Sequence, residues 1–268
     1  MSKGALFNAN FDIQSNSFIP NHPCMRNQSF VKLVVVILVA FVVQANTVQA
    51  QNVDDVVNKH LTAMGGDKYT GIKSIKMEAI AQIMGMELPS NTTIVQGRGM
   101  HSKTTVQGSD IVQAIDGKTG WMINPMMGST NPVALTEDQV KMSAGQLDLT
   151  GLFNYKTKGY KAELTGEDKV EGAPVYVVKV DMGNGALATH YISKDTYYIL
   201  KSVVNTNVQG QDVELKTNFS NFKQVDGVTF PFTTEIESPA MPGPMTMLVK
   251  NVEVNPRVDE SIFAMPKN

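Results

Sequence analysis

Cysteine is nearly missing. The 268-residue chain has a single one, Cys24, and it stands ahead of the longest apolar run, LVVVILVAFVV at 33–43. For everything after that run, a disulfide framework, a thiolate metal site and a cysteine nucleophile are excluded. Charge is sparse as well. Charged residues make up 18% of the chain, and 23 Lys+Arg against 25 Asp+Glu leave a net charge of −2. A phosphate-binding face or a polybasic anchor needs clustered cations, so neither nucleic acid nor electrostatic membrane attachment is expected. The 4 histidines are scattered, and none has metal-ligand spacing. There is no Gly-x-Ser-x-Gly elbow, zinc-protease helix or Gly-x-Gly-x-x-Gly fingerprint. Asp116-Gly117-Lys118-Thr119-Gly120 resembles the end of a phosphate loop, but Val112 stands where its first glycine belongs and no helix follows. It reads as a hairpin turn. Nothing calls for an enzyme or a cofactor.

No run is long enough to span a bilayer, which takes about 20 apolar residues. The run at 33–43 follows Arg26 and Lys32 and precedes Val48 and Ala50. This order of charge, apolar stretch and small residues is that of a secretory leader cleaved after Ala50. A buried core helix is the alternative. Residues 1–24 read as an extension ahead of a misassigned start, with Met25 opening the leader (25–50) and residues 51–268 forming one domain. Gln51 stands where a lipid-anchored product would need a cysteine. A periplasmic location follows.

What is present is mostly alternation. Val53, Val56, Val57, His60, Leu61 and Met64 recur at helical spacing, with Asn52 as cap and Gly65-Gly66 as stop, so a helix is expected over 53–64. Thr136-Glu137-Asp138-Gln139 is a capping box opening a second helix through about Leu149. Beyond Ile72 the period is two. Tyr176, Val178 and Val180 line one face of a run, as do Val213, Leu215, Thr217 and Phe219, and Val228, Phe230, Phe232 and Ile236. Turn pairs such as Glu171-Gly172 and Asp226-Gly227 separate the runs. The three prolines of 239–244 mark a loop. The fold class is mainly β (α+β): a meander of antiparallel hairpins. Two short helices cannot cover the inner face of eight or more strands, so a curved sheet should keep an apolar gap able to hold a ligand. A lipid tail of about 15 methylenes would gain roughly 12 kcal/mol there.

Methionine is over-represented, with 16 in the chain. Met84-Gly85-Met86 and Met245-Thr246-Met247 place thioethers at alternate positions, which suits Cu(I). Copper sites usually add His or Cys, and no histidine lies in a methionine cluster. The other readings are a pliable apolar lining and ordinary core.

Several segments together resemble the LolA/LolB-like superfamily of outer-membrane lipoprotein-sorting proteins, in a Met-rich branch. They are Leu61-Thr62-Ala63-Met64-Gly65-Gly66, Ile75-Lys76-Met77-Glu78, Met84-Gly85-Met86, the stretch 116–125, Tyr191-Ile192, 222–228 with Pro231, and the tail 258–266. The resemblance runs through about 53–266. It implies an incomplete antiparallel barrel wrapped round short helices, with a cavity for acyl chains. It also implies a non-catalytic carrier of lipid or lipoprotein acyl chains, with envelope donor and acceptor proteins as partners. An arginine followed by proline, tied to cargo handover in better-known carriers, corresponds to Arg98-Gly99, which keeps the arginine and not the proline. The expected lining is Met77, Met84, Met86, Trp121, Met122, Phe219, Phe230 and Phe232, with Arg98 near the mouth. Trp121 follows a hairpin turn and could instead close one barrel end. A Cu(I)-binding protein and a partner-binding module with a filled core are the alternatives.

Overall fold

The computed structural model describes residues 52–266 except 184, 209, 210 and 240. The leader expected at 25–50 lies outside the described residues. The described residues form one compact unit.

Helix α1 spans Val53–Met64 and has the expected bounds. The Asn52 side chain accepts from the Asp54 amide, and Asp54 and Asp55 sit in the first turn, where the helix dipole favours anions. Gly65 ends it at φ 130°, with its amide bonded back to the last turn. A side chain there would place Cβ 2.5 Å from the Gly227 carbonyl oxygen, so the stop also serves close packing. The buried face of α1 is Val56, Val57, His60 and Met64. A one-turn helix, α2, follows at Asp67–Thr70. Helix α3 spans Glu137–Ala144, and its capping box forms as expected. It is shorter than the sequence suggested, because the chain tightens into a 3₁₀ turn at Gly145–Leu147. Glycine disfavours continued α-helix at that point.

Thirteen strands make one antiparallel sheet. The first six are β1 (Ser74–Ile83), β2 (Met86–Val95), β3 (Gly99–Val106), β4 (Ser109–Asp116), β5 (Thr119–Asn124) and β6 (Ser129–Ala134). The remaining seven are β7 (Lys161–Val170), β8 (Ala173–Asp181), β9 (Leu187–Ser193), β10 (Ile199–Val208), β11 (Gln211–Val225), β12 (Val228–Glu237) and β13 (Met245–Val254). Each strand pairs with its neighbour in sequence except at the centre, where β1 pairs with β13 and joins two meanders. The edges, β6 and β7, do not pair, so the sheet is curved but unclosed.

Alternation fixes the faces. The face toward α1 carries a row running Val254, Ile75, Ile94, Met100, Ile115 across β13 and β1 to β4. These residues pack with Met64, Tyr69, Ile72, Val140, Leu147 and Val228 in one cluster. A second cluster sets Val56, Val57, Leu152 and Tyr155 against Val178, Val180, Ala188 and Ile192. This is the inner face. A bulge at Lys250, between partners of Glu78 and Ala79, keeps Val249, Met247 and Met245 on it.

The tail covers part of the outer face. After β13 the tail makes a 3₁₀ turn at Glu260–Phe263, which packs on β3 and β4. Phe263 is fully buried against Gly99, where any Cβ would lie 2.8 Å from the ring. Trp121 donates its indole N–H to the Phe263 carbonyl at 2.9 Å.

Candidate functional site: the uncovered part of the inner face

Inner rows change character from one end of the sheet to the other. At the end under α1 and α2, the row through Ile75 and Ile115 is buried. The next row runs Val252, Met77, Thr92, Ser102, Gln113, Met122. Its hydroxyls and amide are satisfied: Thr92 and Ser102 lie 3.3 Å apart, and Gln113 donates to Ser143 of α3. Phe232, Val249 and Val252 form a small buried floor, with Met77, Val225, Phe230 and Val254 packed against it. Lys223 lies over the Phe232 ring at 4.5 Å.

Farther along come two rows that no buried cluster includes. One runs Phe219, Thr234, Met247, Ala81, Leu88; the last runs Thr217, Ile236, Met245, Ile83, Met86. Apart from Ala81 these side chains are half-buried or exposed, and Met86 is 40% exposed. Leu215, on the same face of β11, is 37% exposed. No residue of either row is charged. A surface of aliphatic, aromatic and thioether groups, half in contact with water and free of charge, can do one thing well: accept more hydrocarbon.

The expected lining divides accordingly. Met77, Met86, Met122, Phe219, Phe230 and Phe232 all fall on the inner face. Met77, Phe230 and Phe232 form its floor, while Met86 and Phe219 lie in the uncovered rows. Met84 is not on a strand face. It occupies the β1–β2 turn at φ 51° and is 69% exposed. Trp121 is on the outer face, opposite to Met122, because consecutive strand residues point to opposite sides. It is 5% exposed beneath the tail. Arg98 is in the β2–β3 turn, at the end of the sheet away from Met84 and Met86. Its guanidinium binds Asp116 and Glu260 and lies over the Phe263 ring, so it anchors the tail. The expected lining did not include Met245, Met247, Ile236, Ile83 and Leu88. Alternation at 245 and 247 was visible, but the strand that receives it, β1, is far away in sequence.

Two grooves lie elsewhere. One, about 590 Å³, is bordered by Lys161, Glu163, Lys179 and Asp181 among others; the second, about 380 Å³, lies by Glu214, Lys216 and Pro239. Neither includes a residue of the expected lining.

Ionisable groups inside the fold are few. His60 donates from Nδ1 to the Tyr197 carbonyl at 2.8 Å, because a carbonyl only accepts, so Nδ1 carries the proton. His190 Nδ1 is 3.1 Å from the Ser202 hydroxyl. Burial holds both imidazoles below their usual range, His190 down to about 4. Both are therefore neutral near pH 7. Among the described residues, no group of three or more His, Cys, Asp or Glu side chains could hold a metal. No helix among them is long and apolar enough to cross a membrane.

No protein-family model and no curated protein sequence matches the chain. Solved structures do match. A LolA superfamily protein from Nitrosomonas europaea aligns with TM-score 0.51 and 10% identity, covering 76% of this chain and 97% of that one. An outer membrane lipoprotein-sorting protein domain from Vibrio parahaemolyticus gives 0.52 and 14%, covering 78% and 94%. A DUF1329 family protein from Desulfovibrio piger gives 0.54 and 14%, covering 80% and 98%. At these identities the likeness shows the fold: an open, curved antiparallel sheet of the LolA/LolB-like kind.

Proposed function

With that fold as the premise, we propose that the protein is a non-catalytic carrier of the cell envelope that holds acyl chains of lipids or lipoproteins on the uncovered part of its inner face. The proposal extends to a cleaved leader and a periplasmic location. The observation that carries it is the pair of uncharged rows from Phe219 to Leu88 and from Thr217 to Met86. They continue the apolar face of the core beyond the reach of α1 and stay partly exposed. Water-exposed apolar surface is retained at a cost of about 25 cal/mol per Å², so a fold that keeps it has a use for it. Methionine suits the use: three flexible bonds let Met86, Met245 and Met247 repack round tails of different length. The similar sorting protein from Vibrio supports the cargo class.

The test is Met247→Glu, in the middle of one row. A fluorescent acyl probe should bind at least tenfold more weakly while the far-UV circular dichroism stays that of the native sheet. Unchanged probe affinity would remove these rows from the site.

A second reading rests on the same register. Met86 and Met245 flank Ile83, and Met247 is next along β13, so the two Met-x-Met stretches converge. Thioethers select Cu(I). Competition against a Cu(I) chelator separates the readings: tight one-to-one binding abolished by Met86→Leu with Met245→Leu would favour copper.

A further inference from the structure

One charge interrupts the apolar inner face. In β1–β5 and β8–β13 the charged residues alternate to the outer face, as Lys76 and Glu78 do on β1, Lys179 and Asp181 on β8, Lys216 on β11 and Glu235 on β12. Lys250 sits in the bulge of β13. Lys223 of β11 departs from the pattern. It stands opposite Phe230, on the side of the strand that carries Val225 and Phe219. A lysine on the wet face of a sheet is ordinary; one on the face that builds the core is not.

The side chain also has a direction. Lys223 is paired in register with Phe230, yet its ammonium lies over the ring of Phe232, 4.5 Å from the centre. Phe232 is two residues nearer the uncovered rows, so the stem leans away from α1 and toward Phe219 and Thr234. The ring face offers a quadrupole but no counter-charge. Lys103, Lys156, Lys158, Lys194 and Lys216 each have a carboxylate partner. Among the described residues no carboxylate forms an ion pair with Lys223, and the residue is exposed.

The uncovered rows continue from this cation. From Phe232 to Ile236 the strand advances about 13 Å. Phe232, Thr234 and Ile236 run beside Val249, Met247 and Met245 over that distance. The stretch begins at a positive charge and carries no other.

We infer that the cargo is an acyl lipid with an anionic head, a carboxylate or a phosphate, which binds Lys223 while its tail lies along β12 and β13 toward Met245. The inference rests on the carrier reading and narrows it. An ammonium resting on an aromatic ring beside an apolar surface attracts an anion more strongly than one surrounded by water, because the local dielectric is lower. An uncharged acyl chain has no preferred direction in a row of thioethers and aromatic rings. An anionic head fixes the head at Phe232 and the tail at the last row. The same charge rejects a cationic lipid.

The test is binding of three probes with the same pyrene-labelled tail to the full chain: the fatty acid, its methyl ester and the lysophosphatidic acid. At about pH 8, where a carboxylate is ionised, one or both anions should bind at least tenfold more tightly than the ester. Lys223→Gln should erase that preference, weakening the anions at least tenfold and the ester less than twofold. Lys223→Arg should retain it. Lys216→Gln removes the same charge from the outer face of the same strand and should leave all three affinities unchanged. Salt raised from about 0.05 to 0.5 M should weaken the anions and not the ester. Far-UV circular dichroism reports that each variant keeps the sheet. The tighter anion identifies the head as carboxylate or phosphate. Equal binding of anions and ester by the native chain, or an anion preference that survives Lys223→Gln, would overturn the inference and leave the carrier reading standing. If no probe binds the native chain, both fall. Met247→Glu should weaken the ester as well, which Lys223→Gln does not, so the two substitutions report on tail and head separately.

Discussion

Phe263 and Phe219 are both phenylalanines on a face of the same sheet, yet their surroundings are opposites. Phe263 has no exposed surface and is seated on Gly99 under an indole hydrogen bond from Trp121. Phe219 lies in an uncharged row that buried clusters do not include. The first kind of site converts apolar area into stability. The second leaves much of its area facing water, where it adds little to folding and remains free for binding. Stability and the candidate site are thus drawn from different regions of one continuous sheet.

The comparison can be broken by substitution. Phe263→Ala should cost about 3–5 kcal/mol, as a full aromatic deletion in a packed site does. It should also red-shift the emission of Trp121, the only tryptophan. Phe219→Ala should cost less than about 1.5 kcal/mol in urea unfolding and leave that emission unchanged, while weakening acyl-probe binding. Equal losses of stability would mean that both ends are ordinary core.

A pH series sharpens the same contrast, because the buried histidines lie on the covered side. Burial keeps the folded-state values of His60 and His190 below the ordinary 6.5, His190 at about 4. The unfolded chain therefore binds protons first as pH falls. Stability should be level above about pH 6.5 and decline between about 6.5 and 4. Asp54, held below its ordinary 3.8 by hydrogen bonds from Lys156 and Tyr155, loses its contribution only below that window. His190→Gln should flatten the decline between pH 6.5 and 4 in denaturant titrations.

The smallest effect is local. Thr136→Ala removes the hydroxyl that accepts from the Gln139 amide and should cost about 1 kcal/mol. Acyl binding should be unaffected.

Much of the fold was legible in the sequence because it is built from nearest neighbours. The bounds of α1, the capping box at Thr136 and the hairpin at Asp116-Gly117 depend on contacts a few residues apart. The alternation of Val213 to Phe219 and of Val228 to Ile236 named the inner face correctly. The candidate site was less legible. Met84 read as a strand residue, yet Met84-Gly85 is the turn, a positive-φ position that hydrophobic alternation does not reveal. Trp121 and Met122 were grouped though neighbours on a strand must face opposite ways. Arg98 was set near the mouth, yet it pairs with Asp116 and Glu260, the latter 162 residues away. The Lys250 bulge, which turns Met245 and Met247 inward, has no local signature.

By itself the sequence determined the antiparallel class, the two capped helices and the largely apolar inner face, since each follows from spacing, turn chemistry or composition along the chain. The pairing of β1 with β13, the crossing of the tail over Trp121 and the limit of cover by α1 were decided only in three dimensions. Those features join segments more than a hundred residues apart or sum over many of them. They are set by which surfaces can be buried together, not by the preferences of any single stretch.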